Sequence, residues 1–259
     1  IDRLCESAGF VPKEKAENAV RNALSQARYT KINQYVDTLR QNPFSAHSIF
    51  QYKNGKISDM DIKDGLDALK AAEYIMSKDI TDVQMVRNVS KQLFNNSKRF
   101  QNIENKILTV LNNVVDDETK ESVQGKKIYE YFGVVNNPFF IEFRGKFTLR
   151  QNTYNNEWFA LNSLNKELLE QITNIKGNII TIENRTTYFD YQKNKDDLVV
   201  YTGGFLSPVL TKFLHDIAVK YPDKSFYHWS DIDGGGFYIF SYLHKHVTES
   251  YRPINMDIK

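Results

Sequence analysis

Three short runs near the C-terminus decide the fold: Asn178-Ile179-Ile180-Thr181-Ile182, Leu198-Val199-Val200-Tyr201 and Ser225-Phe226-Tyr227-His228-Trp229. Each is brief, apolar and rich in β-branched or aromatic residues, as strands of a parallel sheet covered on both faces tend to be. Helical spacing separates or follows them, weakly from Thr186 to Gln192 and clearly from Ser207 to Lys220 and Phe237 to Val247. Strands that alternate with helices predict an α/β fold with a parallel sheet and right-handed crossovers.

In such a sheet, ligands collect at the carboxyl ends of the strands. Glu183-Asn184-Arg185 follows the first run, and Thr202-Gly203-Gly204 follows the second. Ser230-Asp231-Ile232-Asp233-Gly234-Gly235-Gly236 follows the third. Asp231 and Asp233 are two apart, so on an extended chain they point the same way. Three carboxylates brought close repel one another unless a cation sits among them. Their hard oxygen donors suit Mg²⁺ or Mn²⁺, ions that neutralise phosphate charge and activate water for attack on phosphorus. Glu183, Asp231 and Asp233 are therefore the candidate catalytic and metal-ligating residues. The glycine pairs allow a ligand close to the backbone. Each element has a plainer reading: Asp-x-Asp as a solvated turn, Gly203-Gly204 as a tight connection, Glu183 as a helix N-terminal carboxylate. Their coincidence at three strand ends favours a site.

Upstream, the chain reads mainly as helix. Lys13 to Leu39 has a helix-favouring composition with helical spacing of Ala16, Val20, Ala23, Leu24 and Ala27, and Asn42-Pro43 breaks the pattern. Phe44 to Ile80 reads as short helix, turn, helix (Asp61 to Ala72) and strand (Glu73-Tyr74-Ile75), which is the winged-helix order. Asp61, Asp64 and Asp67 argue against base readout by its second helix. Asp82 to Val115 is amphipathic, with basic character from Lys91, Lys98, Arg99 and Lys106. After Lys127, Phe139 to Phe143 and Lys146 to Leu149 flank Arg144-Gly145 and predict a hairpin, Gln151 to Glu157 a loop, and Leu161 to Ile175 a helix. The expected organisation is a helical region over 1–125, with the winged-helix-like unit at about 44–80, and an α/β domain with a preceding hairpin over 126–259.

The balance of 34 basic against 32 acidic residues leaves a net charge of +2. Any nucleic-acid surface must therefore come from local clustering. The single cysteine, Cys5, excludes an internal disulfide and a multi-cysteine zinc site. No run approaches the roughly 20 apolar residues of a membrane span, and no signal-peptide pattern is present. A cytoplasmic protein is expected, and the start at Ile1 suggests a fragment.

At the strand ends the motifs become specific. Ile182-Glu183-Asn184-Arg185-Thr186-Thr187-Tyr188-Phe189, Tyr201-Thr202-Gly203-Gly204-Phe205 and His228-Trp229-Ser230-Asp231-Ile232-Asp233-Gly234-Gly235-Gly236-Phe237 resemble the Toprim signature of the JetD family. These are the nuclease subunits of bacterial Wadjet plasmid-defence systems. Arg87 to Arg99 resembles a segment from that family's N-terminal half. The resemblance implies a Toprim domain over 126–259, similar to that of the cleavage subunit of type IIB topoisomerases, with Glu183, Asp231 and Asp233 as ligands of Mg²⁺ or Mn²⁺. It also implies duplex DNA as substrate, an SMC-type motor complex (JetABC-like) as partner, homodimers, and a Toprim lobe continuing past Lys259. Arg185, Gly203, Gly204, Lys98 and Arg99 are candidate phosphate or DNA contacts. Ser230 stands where the family pattern leads one to expect Gly. Tyr29 and Tyr35 lie near the winged-helix-like unit, but nothing marks either as a nucleophile, which favours hydrolysis over a covalent topoisomerase intermediate. The alternatives are a non-catalytic DNA-binding and dimerisation module with a Toprim fold, or a type IIB topoisomerase-like strand-cleaving subunit.

Overall fold

A computed structural model describes residues 11–123 and 127–256. Cys5 and the expected division at 125/126 lie outside them. The described chain forms two compact units. One runs through Asp79 and from Gln84 to Asn136, and the other takes Ile80–Val83 and the chain from Asn137 onward.

The first unit is helical: α1 (Lys13–Ser25), α2 (Asn33–Gln41), α3 (Asp59–Ser77), α4 (Val86–Phe94), α5 (Arg99–Asn102), α6 (Glu104–Val114), α7 (Asp117–Val123) and α8 (Ile128–Tyr131). Two short strands, β1 (Gln84–Met85) and β2 (Val134–Val135), pair in parallel. Helix α3 is the core element, with Ala68, Leu69, Ala71, Ala72 and Ile75 fully buried. A Ser58–Asp61 capping box starts it. Gly65 makes room for the Phe50 ring, since a Cβ there would lie 2.2 Å from it.

Several local expectations differ from the structure. Glu73, Tyr74 and Ile75 are the last turns of α3 rather than a strand, and 44–50 contains turns rather than a helix. The helical spacing from Lys13 to Leu39 is split between α1 and α2. Glu73 explains the split. Its carboxylate accepts from the backbone N–H groups of Thr30, Lys31 and Ile32 at 2.9–3.2 Å and from Thr30 Oγ1 at 2.6 Å. Donors at the entrance to α2 thus gain a partner without a continuous helix. The acidic side of α3 also faces inward: Asp64 and Asp67 hold the Arg99 guanidinium at 2.7 and 2.6 Å.

The second unit is mixed α/β. Its elements are β3 (Phe140–Leu149), β4 (Asn152–Asn162), α9 (Lys166–Glu170), β5 (Ile172–Thr173), β6 (Ile179–Ile182) and α10 (Arg185–Asp190). They continue with β7 (Leu198–Tyr201), α11 (Pro208–Lys220), β8 (Phe226–Trp229), α12 (Gly234–His246) and β9 (Tyr251–Pro253). The sheet runs β4-β3-β7-β6-β8-β9, with β5 alongside β3. Strands β7, β6, β8 and β9 are mutually parallel, and β3 is antiparallel to its neighbours.

The hairpin expected around Arg144-Gly145 lies elsewhere. Gly145 sits in a bulge within a continuous β3, at φ +126°, and a Cβ there would lie 2.0 Å from the Asp197 carbonyl oxygen. A glycine in a strand marks a close backbone approach as often as a turn. The chain actually reverses at Arg150-Gln151, both at positive φ, and the expected loop at 151–157 is mostly β4. The expected helix over 161–175 contracts to α9, followed by β5.

The order of the parallel strands sets the ligand geometry. From β6 the chain moves out to β7, then returns to β8 on the opposite side of β6. The connections leaving β6 and β8 therefore diverge, and such a switch point opens a crevice at the carboxyl edge.

Glu73 yields a stability prediction. Burial pushes its carboxyl up, but bonds from Thr30, Lys31 and Ile32 outweigh this and hold it below its ordinary value. A depressed folded-state value contributes stability above the unfolded value of about 4.3, and that contribution is lost as pH falls through the folded one. Glu73→Ala should cost about 1–2 kcal/mol at pH 7. Urea unfolding should show that gap closing as the pH drops below about 4.

Candidate active site

Glu183 is the first residue past β6, and its N–H donates to the Trp229 carbonyl at 2.9 Å. That bond continues the parallel register in which Ile182 faces Trp229. It sets Glu183 beside the turn carrying Asp231 and Asp233. The Glu183 carboxyl is half-buried, and its Oε2 has no hydrogen-bond partner. Burial is the main force raising this carboxyl above its ordinary value, and the charges of Asp231 and Asp233 add to it. A backbone hydrogen bond from Asp231 opposes them. Asp231 and Asp233 are exposed.

Asp233 also starts α12, its Oδ1 accepting from the Gly236 N–H at 2.8 Å. Gly236 has a packing reason. A Cβ on Gly236 would lie 2.0 Å from the Asp231 carbonyl oxygen, so the first turn of α12 can seat against the acidic turn only without one. Ser230 is buried, and its Oγ donates to the Gly236 carbonyl at 3.1 Å. After β7, Gly203 and Gly204 adopt φ +62° and +92°, a left-handed turn costly to other residues.

Arg185 opens α10 and is committed to a partner. Its guanidinium forks onto the Glu142 carboxylate at 2.9 and 3.0 Å and lies over the rings of Tyr201 and Phe189. Glu142 also accepts from Trp158 Nε1 at 2.7 Å. Two residues along β3, the buried Arg144 donates to the carbonyls of Tyr188, Phe189 and Tyr191 at the other end of α10. Strand β3 thus fastens both ends of the helix that follows Glu183. Sequence reasoning missed Glu142, Arg144 and Trp158. The available signal was an alternation of charged residues, Glu142, Arg144 and Lys146, inside the apolar run 139–147.

His228 stands apart from the carboxylates. It is fully buried, with Nδ1 paired to Thr181 Oγ1 at 2.9 Å, and burial holds it down to about 4, so it is neutral. In the helical unit Lys98 is exposed, while Arg99 is occupied by Asp64 and Asp67. Burial pushes the phenols of Tyr29 and Tyr35 up to about 12, and Tyr35 donates to the His47 carbonyl at 2.7 Å. Among the described residues, no three His, Cys, Asp or Glu side chains already form a metal cage. No described helix is long and apolar enough to cross a membrane.

Residues 147–259, the span holding Glu183, Asp231 and Asp233, match the family described as Wadjet protein JetD, C-terminal. Across 275 aligned residues the chain is 25% identical to Wadjet protein JetD of Bacillus cereus (strain Q1). The chain is thus similar to the JetD proteins, most specifically over residues 147–259. The alignment takes in 100% of this chain and 64% of that JetD, so the chain spans just under two thirds of its relative.

The raised Glu183 carboxyl has a measurable consequence. A folded-state value above the unfolded one contributes stability at low pH, which is lost as pH rises through the folded value. At neutral pH the charged Glu183 therefore opposes folding. Glu183→Gln should raise Tm at pH 7 in EDTA, and the gain should vanish near pH 4; scanning calorimetry at both pH values measures it.

Proposed function

We propose that the chain is a divalent-metal-dependent DNA endonuclease subunit of a Wadjet-like defence system, with its α/β unit as a Toprim-like domain. The observation that carries this reading is the Glu183 carboxyl, buried on one oxygen without a partner and set against the charges of Asp231 and Asp233. A hard divalent cation is the partner that relieves such an arrangement. Glu183, Asp231 and Asp233 would hold Mg²⁺ or Mn²⁺, which supplies charge neutralisation at a phosphodiester and an activated water. Since the three do not already form a cage, the exposed Asp231 and Asp233 side chains must turn toward Glu183 on binding.

The chain's own residues would do the rest. Gly203 and Gly204 leave bare backbone at the crevice, where a phosphate strand can approach. Arg185 sits at the rim, held by Glu142. Glu183, with its carboxyl lifted by burial and its neighbours, is the group suited to carrying a proton. The similarity to Wadjet protein JetD supports a place in the Wadjet system. Duplex DNA as substrate, an SMC-type motor complex as partner and a second copy of the chain complete the reading.

One observation favours the non-catalytic alternative: the acidic side chains are not gathered in advance. A covalent topoisomerase-like mechanism is less well supported, because the Tyr29 and Tyr35 phenols are pushed up and away from the nucleophilic phenolate. The test is nicking or linearisation of closed circular plasmid with Mg²⁺ or Mn²⁺, comparing the chain with its Asp231→Ala variant. Metal-dependent cutting that disappears in the variant is expected. Cutting that survives Asp231→Ala would remove the site assignment, and metal binding without cutting by either protein would favour the non-catalytic module.

A further inference from the structure

With a net charge of only +2, a polyanion partner has to be met by a local cluster. One such cluster, unmixed with acidic residues, lies outside the carboxylate site. From Val83 to Ile103 the sequence contains four basic residues and no acidic one. Helix α4 occupies the middle of that stretch. It presents Val86, Val89 and Ser90 to the core and leaves Arg87, Asn88, Lys91, Gln92 and the capping Asn95 exposed.

That outer face is chemically uniform. Arg, Lys, Asn and Gln are the side chains that bond phosphates and the base edges of the major groove. Arg87, Lys91 and Lys98 have no acidic partner among the described residues. The one basic residue of the stretch with acidic partners is Arg99, which anchors α5 to α3 instead.

The helix is also rigidly mounted. Ser90 Oγ donates to the Asn96 carbonyl and accepts from the Phe100 N–H at 2.9 Å, which fixes the turn after α4. Lys70 Nζ donates to the Leu93 carbonyl at 2.8 Å, satisfying the helix's C-terminal end. Tyr74 OH donates to Gln84 Oε1 at 2.7 Å and lies 3.3 Å from the Gln92 side-chain amide, beside the outer face of α4. An α-helix is about 10–12 Å across with its side chains, so α4 fits a major groove about 12 Å wide.

We propose that the exposed face of α4, with Lys98 beyond it, is a duplex-DNA-binding surface, with α4 entering the major groove. Arg87, Lys91 and Lys98 meet phosphates, and Asn88 and Gln92 meet base edges. Residues 61–72, the second helix of the winged-helix-like unit and not favoured for base readout, belong to the core helix α3. The inference rests on the duplex-DNA part of the proposed function and not on its metal chemistry.

Fluorescence anisotropy in EDTA, using the full chain and a labelled duplex of about 30 base pairs, tests it. Arg87→Gln with Lys91→Gln should weaken binding about tenfold or more and make the salt slope shallower by about 2. The same charge removed elsewhere, by Lys176→Gln with Lys195→Gln, should change binding much less. Matched circular dichroism and Tm show that the variants fold, and Lys98→Gln alone provides a milder second variant with a slope change of about 1. Equal binding by wild type and the α4 variants would overturn the proposal. So would absence of duplex binding by the wild type, or tighter binding of the single strand. Because no divalent metal is present, failure of plasmid cutting with intact, α4-dependent binding would count against the nuclease reading alone.

Discussion

The parallel pairing of β6 with β8 is the constraint on which the site depends. Four register pairs, from Ile179 with Phe226 to Ile182 with Trp229, bring Glu183 out of the sheet beside the acidic turn. The register is guarded by what each face packs. Ile180 and Ile182 join Tyr188 and Val199 in one apolar cluster beneath α10, while Thr181 and His228 bond each other as a buried polar pair. A slip by one residue would exchange those faces, placing the polar pair in the apolar cluster. Because the slip is costly, the Glu183 carboxyl stays where Asp231 and Asp233 act on it, and its own preference for water cannot relocate it.

Strand β3 completes that frame from the other side. The missing side chain at Gly145 lets the β7 edge approach, while Glu142 and Arg144 reach to opposite ends of α10. Arg144 places positive charge at the carbonyl end of α10, the favourable sense for a helix terminus. The buried Arg144 and Glu142 are therefore not stray charges in a core. Their partners belong to the connection immediately after Glu183, so they brace the site from an element that contributes none of its carboxylates.

Much of this was legible in the residues. Three of the parallel strands announce themselves as apolar runs, followed in turn by Glu183, the Gly203-Gly204 pair and the acidic, glycine-rich turn. Less legible were features decided by long-range partners. Gly145 has the local signature of a turn but works as a bulge, while Arg150-Gln151 reverses the chain with no turn signature at all. The break between α1 and α2 depends on Glu73, about forty residues further along the chain. Asp64 and Asp67, legible only as acidic residues unsuited to base readout, are the partners of Arg99. In each case the local pattern was real and a distant side chain decided its use.

The central claim concerns three carboxylates and one kind of ion. Calorimetric titration of Mn²⁺ into the full chain, beside Asp231→Asn and Glu183→Gln, examines it most directly. The account predicts saturable binding by the wild type that both substitutions abolish or severely weaken. Unchanged binding in both variants, or no binding by the wild type, would contradict it.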